Sequence, residues 1–545
     1  MNGPPQLLLS LVAALAVPSA MLFACVLPGM WQRILTLLWI APIPALAAGF
    51  FGGAQPLLWD WTAGRVTLML DRPGAILLGA AALLWIGSGV YAPRYLRSEP
   101  HGGRFTVCWL LTLIGNIGVF ITADLASFYL AFAMVSVPAY GLLVHDATPK
   151  TQRAGAIYMA FTLLGETFLL IGFVLLAAAS GGSLAIQDCV RALPASPWRD
   201  PTVALLIAGF GLKAGLVPLH VWMPLTYTAA PAPAASVLSG AVVKAGVIGL
   251  IRFIPLDHQL TGWGGALAAA GLLSAFYGVA VGITQVNPKT VLAYSSISQM
   301  GLIATVVGMG IANSDQGTVL VVAFYAVHHI LAKGALFLAI GVVAAAGSAR
   351  PWPVLFPAAV LALGLAGLPL TGGALAKLAV KETLGDGVAA MLATLSAAGS
   401  ALLMLHFLHR LRAIEVRDSK PAEPIGLVLP WLTMALAAVV VPWMLYFTDG
   451  MGSLSGAVSP KTLWAALWPI LIGGLLALGL RRWAKLLPDV PEGDIVVAGE
   501  KAARTTVALG AALESADRFL RRWPVACLSL LGVAIILGAL MLVGR

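Results

Sequence analysis

Charge is scarce in this sequence. Asp, Glu, Lys and Arg make up 10% of its 545 residues, where a soluble domain carries about 25%. A water-soluble globule is thereby excluded. Short alternating strands with turns between them are also missing, so a membrane β-barrel is excluded too. The four cysteines, Cys25, Cys108, Cys189 and Cys527, are scattered and form no CxxC pair; neither an iron–sulfur cluster nor a zinc site is expected. Gly308-Met-Gly310 has no phosphate-binding turn after it, and no flavin, nickel or nicotinamide motif is present. The chain is therefore expected to hold no cofactor and no metal, and any redox chemistry would belong to partner proteins.

What is present is hydrophobic. Apolar residues make up 60% of the chain and the mean hydropathy is +0.94. The apolar runs are continuous and about 20 residues long, as helices crossing a ~30 Å hydrocarbon core require. The expected fold class is an all-α polytopic membrane protein with about 16 transmembrane helices. They fall at 6–27, 33–51, 74–92, 105–122, 125–144, 155–179, 202–223, 233–254, 263–284, 291–310, 317–346, 354–381, 387–409, 426–447, 462–480 and 525–543.

A formal charge of +10 can signal nucleic acid, but its distribution argues for a membrane. With the loops numbered alternately, 20 of the 32 Lys and Arg fall on one side and 8 on the other. By the positive-inside rule the richer side is cytoplasmic, which puts both termini on the non-cytoplasmic side of a bacterial inner membrane. Ala16-Val-Pro-Ser-Ala20 looks cleavable, yet no basic residue precedes it, so a retained first helix is expected. The stretch 481–524 is the longest polar one. Ala502, Leu509, Leu513, Ala516 and Leu520 share a helical face there, which reads as an amphipathic helix at the headgroups or as a docking helix for a partner.

The remaining four lysines, Lys213, Lys244, Lys333 and Lys377, lie inside spans. A cation at the bilayer centre costs at least ~2.5–3.5 kcal/mol on insertion scales and marks an ion or proton path. An ammonium in a dry site also changes protonation readily. Two of these lysines sit beside helix breakers. Gly215, Pro218 and Pro224 follow Lys213, and Gly367, Pro369, Gly372 and Gly373 precede Lys377. Paired interrupted helices in two halves point to inverted repeats. The expected organisation is N-terminal helices at 1–104, a first five-helix repeat at 105–254 containing Lys213, a second at 255–411 containing Lys377, and C-terminal helices at 412–545.

The segment Gly211 to Pro224 (GLKAGLVPLHVWMP) resembles the signature of the antiporter-like subunits of respiratory complex I, membrane-bound hydrogenases and multisubunit cation/proton antiporters. The likeness continues through Ala230 to Gly246, Asn287 to Gly301, His328 to Phe337 and Pro369 to Lys377, and covers roughly 70–410. The wording of the lysine segments is most similar to the hydrogenase-type branch. The resemblance implies that Lys213 and Lys377 belong to the two broken helices, and that Lys244, His329 and Lys333 join them in a polar proton axis at mid-membrane. One position departs from the family pattern: Ala133 stands where relatives carry a glutamate facing the first lysine. Glu166, near the middle of the adjacent span, is the candidate replacement; a static pair or a dead half-channel are the alternatives. Tyr325 stands where many relatives have histidine.

Candidate inlets and outlets are His220, at the end of the first broken helix, and His406 with His409, near the end of their span. His328 faces about 100° from His329 on the same helix and reads as a packing or water contact. The resemblance implies a proton-translocating subunit of a redox-driven complex, with membrane partner subunits and a peripheral redox or enzymatic module. The competing readings are a subunit of a cation/proton antiporter, an ion-driven energising subunit for inorganic-carbon uptake, and a structural spacer.

Overall fold

Helix starts are written into the loops. Asp71 accepts a hydrogen bond from Gly74 N, Asp124 from Ser127 N, and Asn287 from Lys289 N, with Pro288 at the first helical position. Each side chain satisfies a donor that the first turn leaves unpaired. The structure, a computed structural model, describes residues 5–51, 53–61, 64–97, 101–346, 352–414, 425–483, 487–497, 499–500 and 514–515. Two compact units divide the chain, Met1–Glu492 and Gly493–Arg545. The first contains every helix described below; in the second, residues 494–497 are helical. The expected span 525–543 and most of the amphipathic segment 481–524 lie outside the described residues.

Twelve helices among the described residues are long and apolar enough to cross a membrane. They include Arg72–Tyr95, Pro149–Ala179, Thr261–Gly282, Pro288–Asn313 and Val388–Arg412. The chain is a multi-pass membrane protein. Three further stretches are interrupted. Residues 33–51 divide into Met30–Leu37 and Ile43–Phe50. The stretch around Lys213 breaks into Arg199–Ala214 and Trp222–Ala229, and that around Lys377 into Trp352–Ala366 and Gly372–Ala379.

One element departs from an all-helical reading. Gly53–Trp61 and Gly64–Leu70 pair as an antiparallel hairpin, Leu57 opposite Leu68 and Trp61 opposite Gly64. Its second strand is tied down by Asp124, whose carboxylate accepts from Thr67 N at 3.1 Å while it caps its own helix.

Polar contacts between loops respect the alternation read from the sequence. Asp71 pairs with Arg252 at 2.6 Å, Arg72 pairs with Asp449, and Thr383 donates to Asp315 at 2.9 Å. These all join loops of the basic-poor side. On the other side Lys150 meets Glu492 at 3.3 Å, and Gln285 O meets His406 Nε2 at 2.8 Å.

The polar interior depends on close backbone approach at one glycine. A Cβ at Gly246 would stand 2.6 Å from Phe210 O and 2.8 Å from Ala214 N. The helix carrying Lys244 therefore packs directly on the helix carrying Lys213. Gly246→Ala is expected to destabilise the protein by about 1–3 kcal/mol, as overpacking does. A lower Tm of the detergent-solubilised protein checks it.

Candidate functional site

Three clusters of buried polar groups run through the bundle, each built at a helix irregularity. The first surrounds Lys213. Its helix ends at Ala214, and Gly215 takes a left-handed conformation (φ 80°) that turns the chain out of the helix. The break leaves backbone groups to satisfy. Trp222 Nε1 donates to Leu212 O at 3.0 Å, and Val217 N donates to Ser274 Oγ at 2.9 Å. Lys213 Nζ donates to Ser136 Oγ at 2.8 Å. The same hydroxyl donates to Phe132 O at 2.7 Å and is within reach of the Glu166 carboxyl. Lys213 and Glu166 are both buried and meet through Ser136, while Glu166 Oε1 accepts no hydrogen bond among the described residues. The rings of Phe132 and Tyr158 stand 5.6 and 5.9 Å from Lys213 Nζ, close enough for cation–π attraction. A cavity of about 10 Å³ adjoins it, room for no more than about one water.

On the basic-poor side of Lys213 five phenylalanines pack together. Phe128 and Phe253 have centroids 4.7 Å apart, Phe173 and Phe253 4.8 Å, and Phe132 and Phe210 complete the group. An apolar plug of this kind excludes water and ions from that direction.

The second cluster lies at a π-helical turn, Leu238–Val242, which precedes Lys244. Such turns release carbonyls from the helical ladder and recur at functional sites. Asn116 Nδ2 donates to Ala241 O at 3.3 Å, and Lys244 Nζ donates to Ser239 O at 3.2 Å. Lys244 Nζ also lies 2.6 Å from His329 Nδ1. One of these two nitrogens must donate and the other accept, so a single proton is shared between them. Lys333, one turn beyond His329 on the Thr318–Ala346 helix, donates to Leu292 O at 2.8 Å. Lys244, His329 and Lys333 are fully buried.

Tyr325 lies one turn before His329 on the same helix. Its hydroxyl donates to Gln299 Oε1 at 2.9 Å, and Gln299 Nε2 donates to Ser400 Oγ at 3.1 Å. Tyr325 then lines the third cluster, a cavity of about 410 Å³ beside Lys377 that also meets Lys381 and Asp386. Lys377 Nζ donates to Ala366 O, a carbonyl freed where the first half of the broken helix ends. His328 packs on the second half: a Cβ at Gly373 would stand 2.9 Å from its Nε2 and 1.8 Å from Gly364 O. His328 is also within electrostatic reach of Lys377.

Lys213 with Glu166, Lys244 with His329 and Lys333, and Tyr325 with Lys377 are thus brought together in sequence along the bundle. Three of the expected residues lie elsewhere. His220 lies in the first break, edge-on to Tyr277 at 4.9 Å. His406 is at the basic-rich surface, on the turn after Thr261–Gly282, and His409 is exposed beside it. Asp124, a cap, is not part of the axis. Ser136, Ser239, Asn116 and Gln299 belong to the site without standing out in the sequence. Their only signal there is a polar side chain within an apolar run.

Comparison with known proteins places this geometry. Residues 122–405, just over half of the chain, match the family model described as NADH:quinone oxidoreductase/Mrp antiporter, transmembrane. Hydrogenase-4 component B of Escherichia coli is 30% identical over 51% of this chain and 43% of its own length. A Na(+)/H(+) antiporter subunit of Bacillus subtilis is 28% identical over 68% of this chain and 79% of its own. The chain spans about half the length of the first curated relatives it matches. Among solved structures, the Mrp complex from Dietzia sp. superposes with a TM-score of 0.74 at 20% identity, over 99% of this chain and 63% of that one, which establishes the shared fold. The chain belongs to the NADH:quinone oxidoreductase/Mrp antiporter family of membrane proteins.

Proposed function

We propose that this chain is a proton-translocating membrane subunit of a redox-driven complex of the respiratory or hydrogenase kind. The observation that carries this reading is the Lys244–His329 contact at 2.6 Å with Lys333 one turn away, all fully buried. Basic groups so placed have no packing role that an apolar side chain would not fill better. As a shared-proton chain they have a use. Protons pass between Lys213 with Glu166, the Lys244–His329–Lys333 cluster, and Lys377, helped by internal water. The two broken helices mark the halves 105–254 and 255–411, and the basic-rich face is cytoplasmic in a bacterial inner membrane. Redox or other driving chemistry lies in partner subunits.

A second reading, a subunit of a cation/proton antiporter, is favoured by the match to the Bacillus subtilis antiporter protein, which covers more of this chain than the hydrogenase relative does.

Proton flux into sealed vesicles carrying the purified native complex tests the proposal. Lys333→Ala, at equal assembly, is expected to lower flux by about 10²-fold, the scale of a lost proton-transfer group. Wild-type flux in that variant would reduce the lysines to scaffold. Flux that needs Na⁺ on the opposite side and no electron donor would select the antiporter reading.

A further inference from the structure

Glu492 ends the first unit, on the segment that follows the Pro460–Trp483 helix, and it lies beyond the residues the family model matches. Its carboxylate is half-buried. Oε2 faces Lys150 at 3.3 Å, and Oε1 lies 2.9 Å from Thr290 Oγ1. Thr290 is fully buried on the Pro288–Asn313 helix, and its hydroxyl lies 2.8 Å from Thr228 Oγ1. Thr228 is buried as well, and its hydroxyl lies 2.6 Å from Pro224 O. A carboxyl, two hydroxyls and a carbonyl thus stand in line from the basic-rich surface to the second half of the first broken helix.

The proton count of this line is informative. Three hydrogen bonds are in place, and two hydroxyls supply two protons. With Glu492 as a carboxylate, one contact has no proton to fill it. With Glu492 protonated, the carboxyl donates to Thr290, Thr290 to Thr228, and Thr228 to Pro224 O. Every contact is then satisfied. The line has room for one more proton than its hydroxyls carry, and a proton delivered to the surface carboxyl would fill it.

We propose that Glu492 is the proton-uptake port of this chain, with Thr290 and Thr228 as its inward relay. In the transfer step Glu492 gives its proton to Thr290 Oγ1, the proton of Thr290 passes to Thr228 Oγ1, and the proton of Thr228, once its hydroxyl turns from Pro224 O, passes to internal water. The carboxylate that remains reloads from bulk water. Thr290 lies on the helix that also carries Leu292, whose carbonyl receives Lys333 Nζ and Ser296 Oγ. Lys289, the neighbour of Thr290, donates to Ala230 O at 2.6 Å and stands within electrostatic reach of Lys150.

This inference rests on the proposed proton-conducting function. Its test uses the same vesicles with the native complex. Glu492→Gln keeps an acceptor for Thr290 but cannot deliver a proton, and Thr290→Val removes the relay hydroxyl. Each is expected to lower flux by about 10²-fold, with Glu492→Asp and Thr290→Ser recovering much of it. Lys150→Gln breaks the ion pair alone and is expected to retain flux. If Lys333→Ala abolishes flux while Glu492→Gln and Thr290→Val do not, the port is wrong and the function stands. If Lys150→Gln falls as far as Glu492→Gln, the ion pair is a latch and the port is also wrong. If the wild-type complex moves no protons, the function fails and takes the port with it.

Discussion

His329→Ala is expected to lower proton flux by about 10²-fold or more, with the complex assembled. Lys244 Nζ has two partners, Ser239 O and His329 Nδ1. Lys333 Nζ has Leu292 O. A carbonyl accepts a hydrogen bond but is too weak a base to receive the proton itself, so the imidazole is the one group between the two lysines that both takes and returns it. His329→Ala leaves two lysines, each on a carbonyl, with no titratable link. His328→Ala is the control on the same helix. That ring packs against the second break at Gly372 and Gly373, and its loss is expected to change flux far less. Dye-reported acidification of the vesicle lumen checks both. Equal loss in the two variants would mean that the helix, rather than the shared proton, matters.

The large features of this arrangement were legible because they disturb hydropathy. A lysine in an apolar run and a Gly/Pro cluster beside it stand out, and both breaks fall where Gly215 and Gly367 place them. The alternation of basic loops was legible for the same reason, and Asp71–Arg252 and Lys150–Glu492 each join loops of one parity. What was hidden lacks that contrast. Ser136, Ser239 and Thr290 are small and barely lower the hydropathy of their spans. Ser136 and Thr290 matter for the lysine or carboxyl they meet across helices, and Ser239 for the backbone carbonyl it offers Lys244. Glu492 reads in the sequence as one acidic residue of a Pro- and Asp-rich turn, and only folding sets it on Thr290. The 53–70 hairpin was missed because a short paired segment between two spans has no period that hydropathy detects. The π-turn before Lys244 has no sequence mark at all, since Leu238–Val242 reads as ordinary helix.

The second large effect is expected at Glu166. Ala133 stands where the family resemblance implies a carboxylate facing Lys213, and Ser136, one turn further along, supplies only a hydroxyl. A hydroxyl passes a proton on but does not store one, so the site needs an acid–base group, and Glu166 is the carboxylate that reaches Ser136 from the neighbouring Pro149–Ala179 helix. Glu166→Gln preserves volume and hydrogen bonding and removes only titration. It is expected to lower flux by about 10²-fold. Residues 133 and 136 lie on one face of their helix, at i,i+3 spacing. Adding Ala133→Glu to Glu166→Gln therefore returns a carboxylate to the same hydroxyl from the other side, and a large part of the flux should return. Ser136→Ala removes the bridge while leaving both charged groups, and it is expected to slow flux without abolishing it, because the adjoining cavity of about 10 Å³ would widen enough to admit a water in its place. Loss in Glu166→Gln without recovery in the double variant would make Glu166 a fixed counter-ion of Lys213. Unchanged flux in Glu166→Gln would show that the central and Lys377 clusters conduct without the first half of the axis.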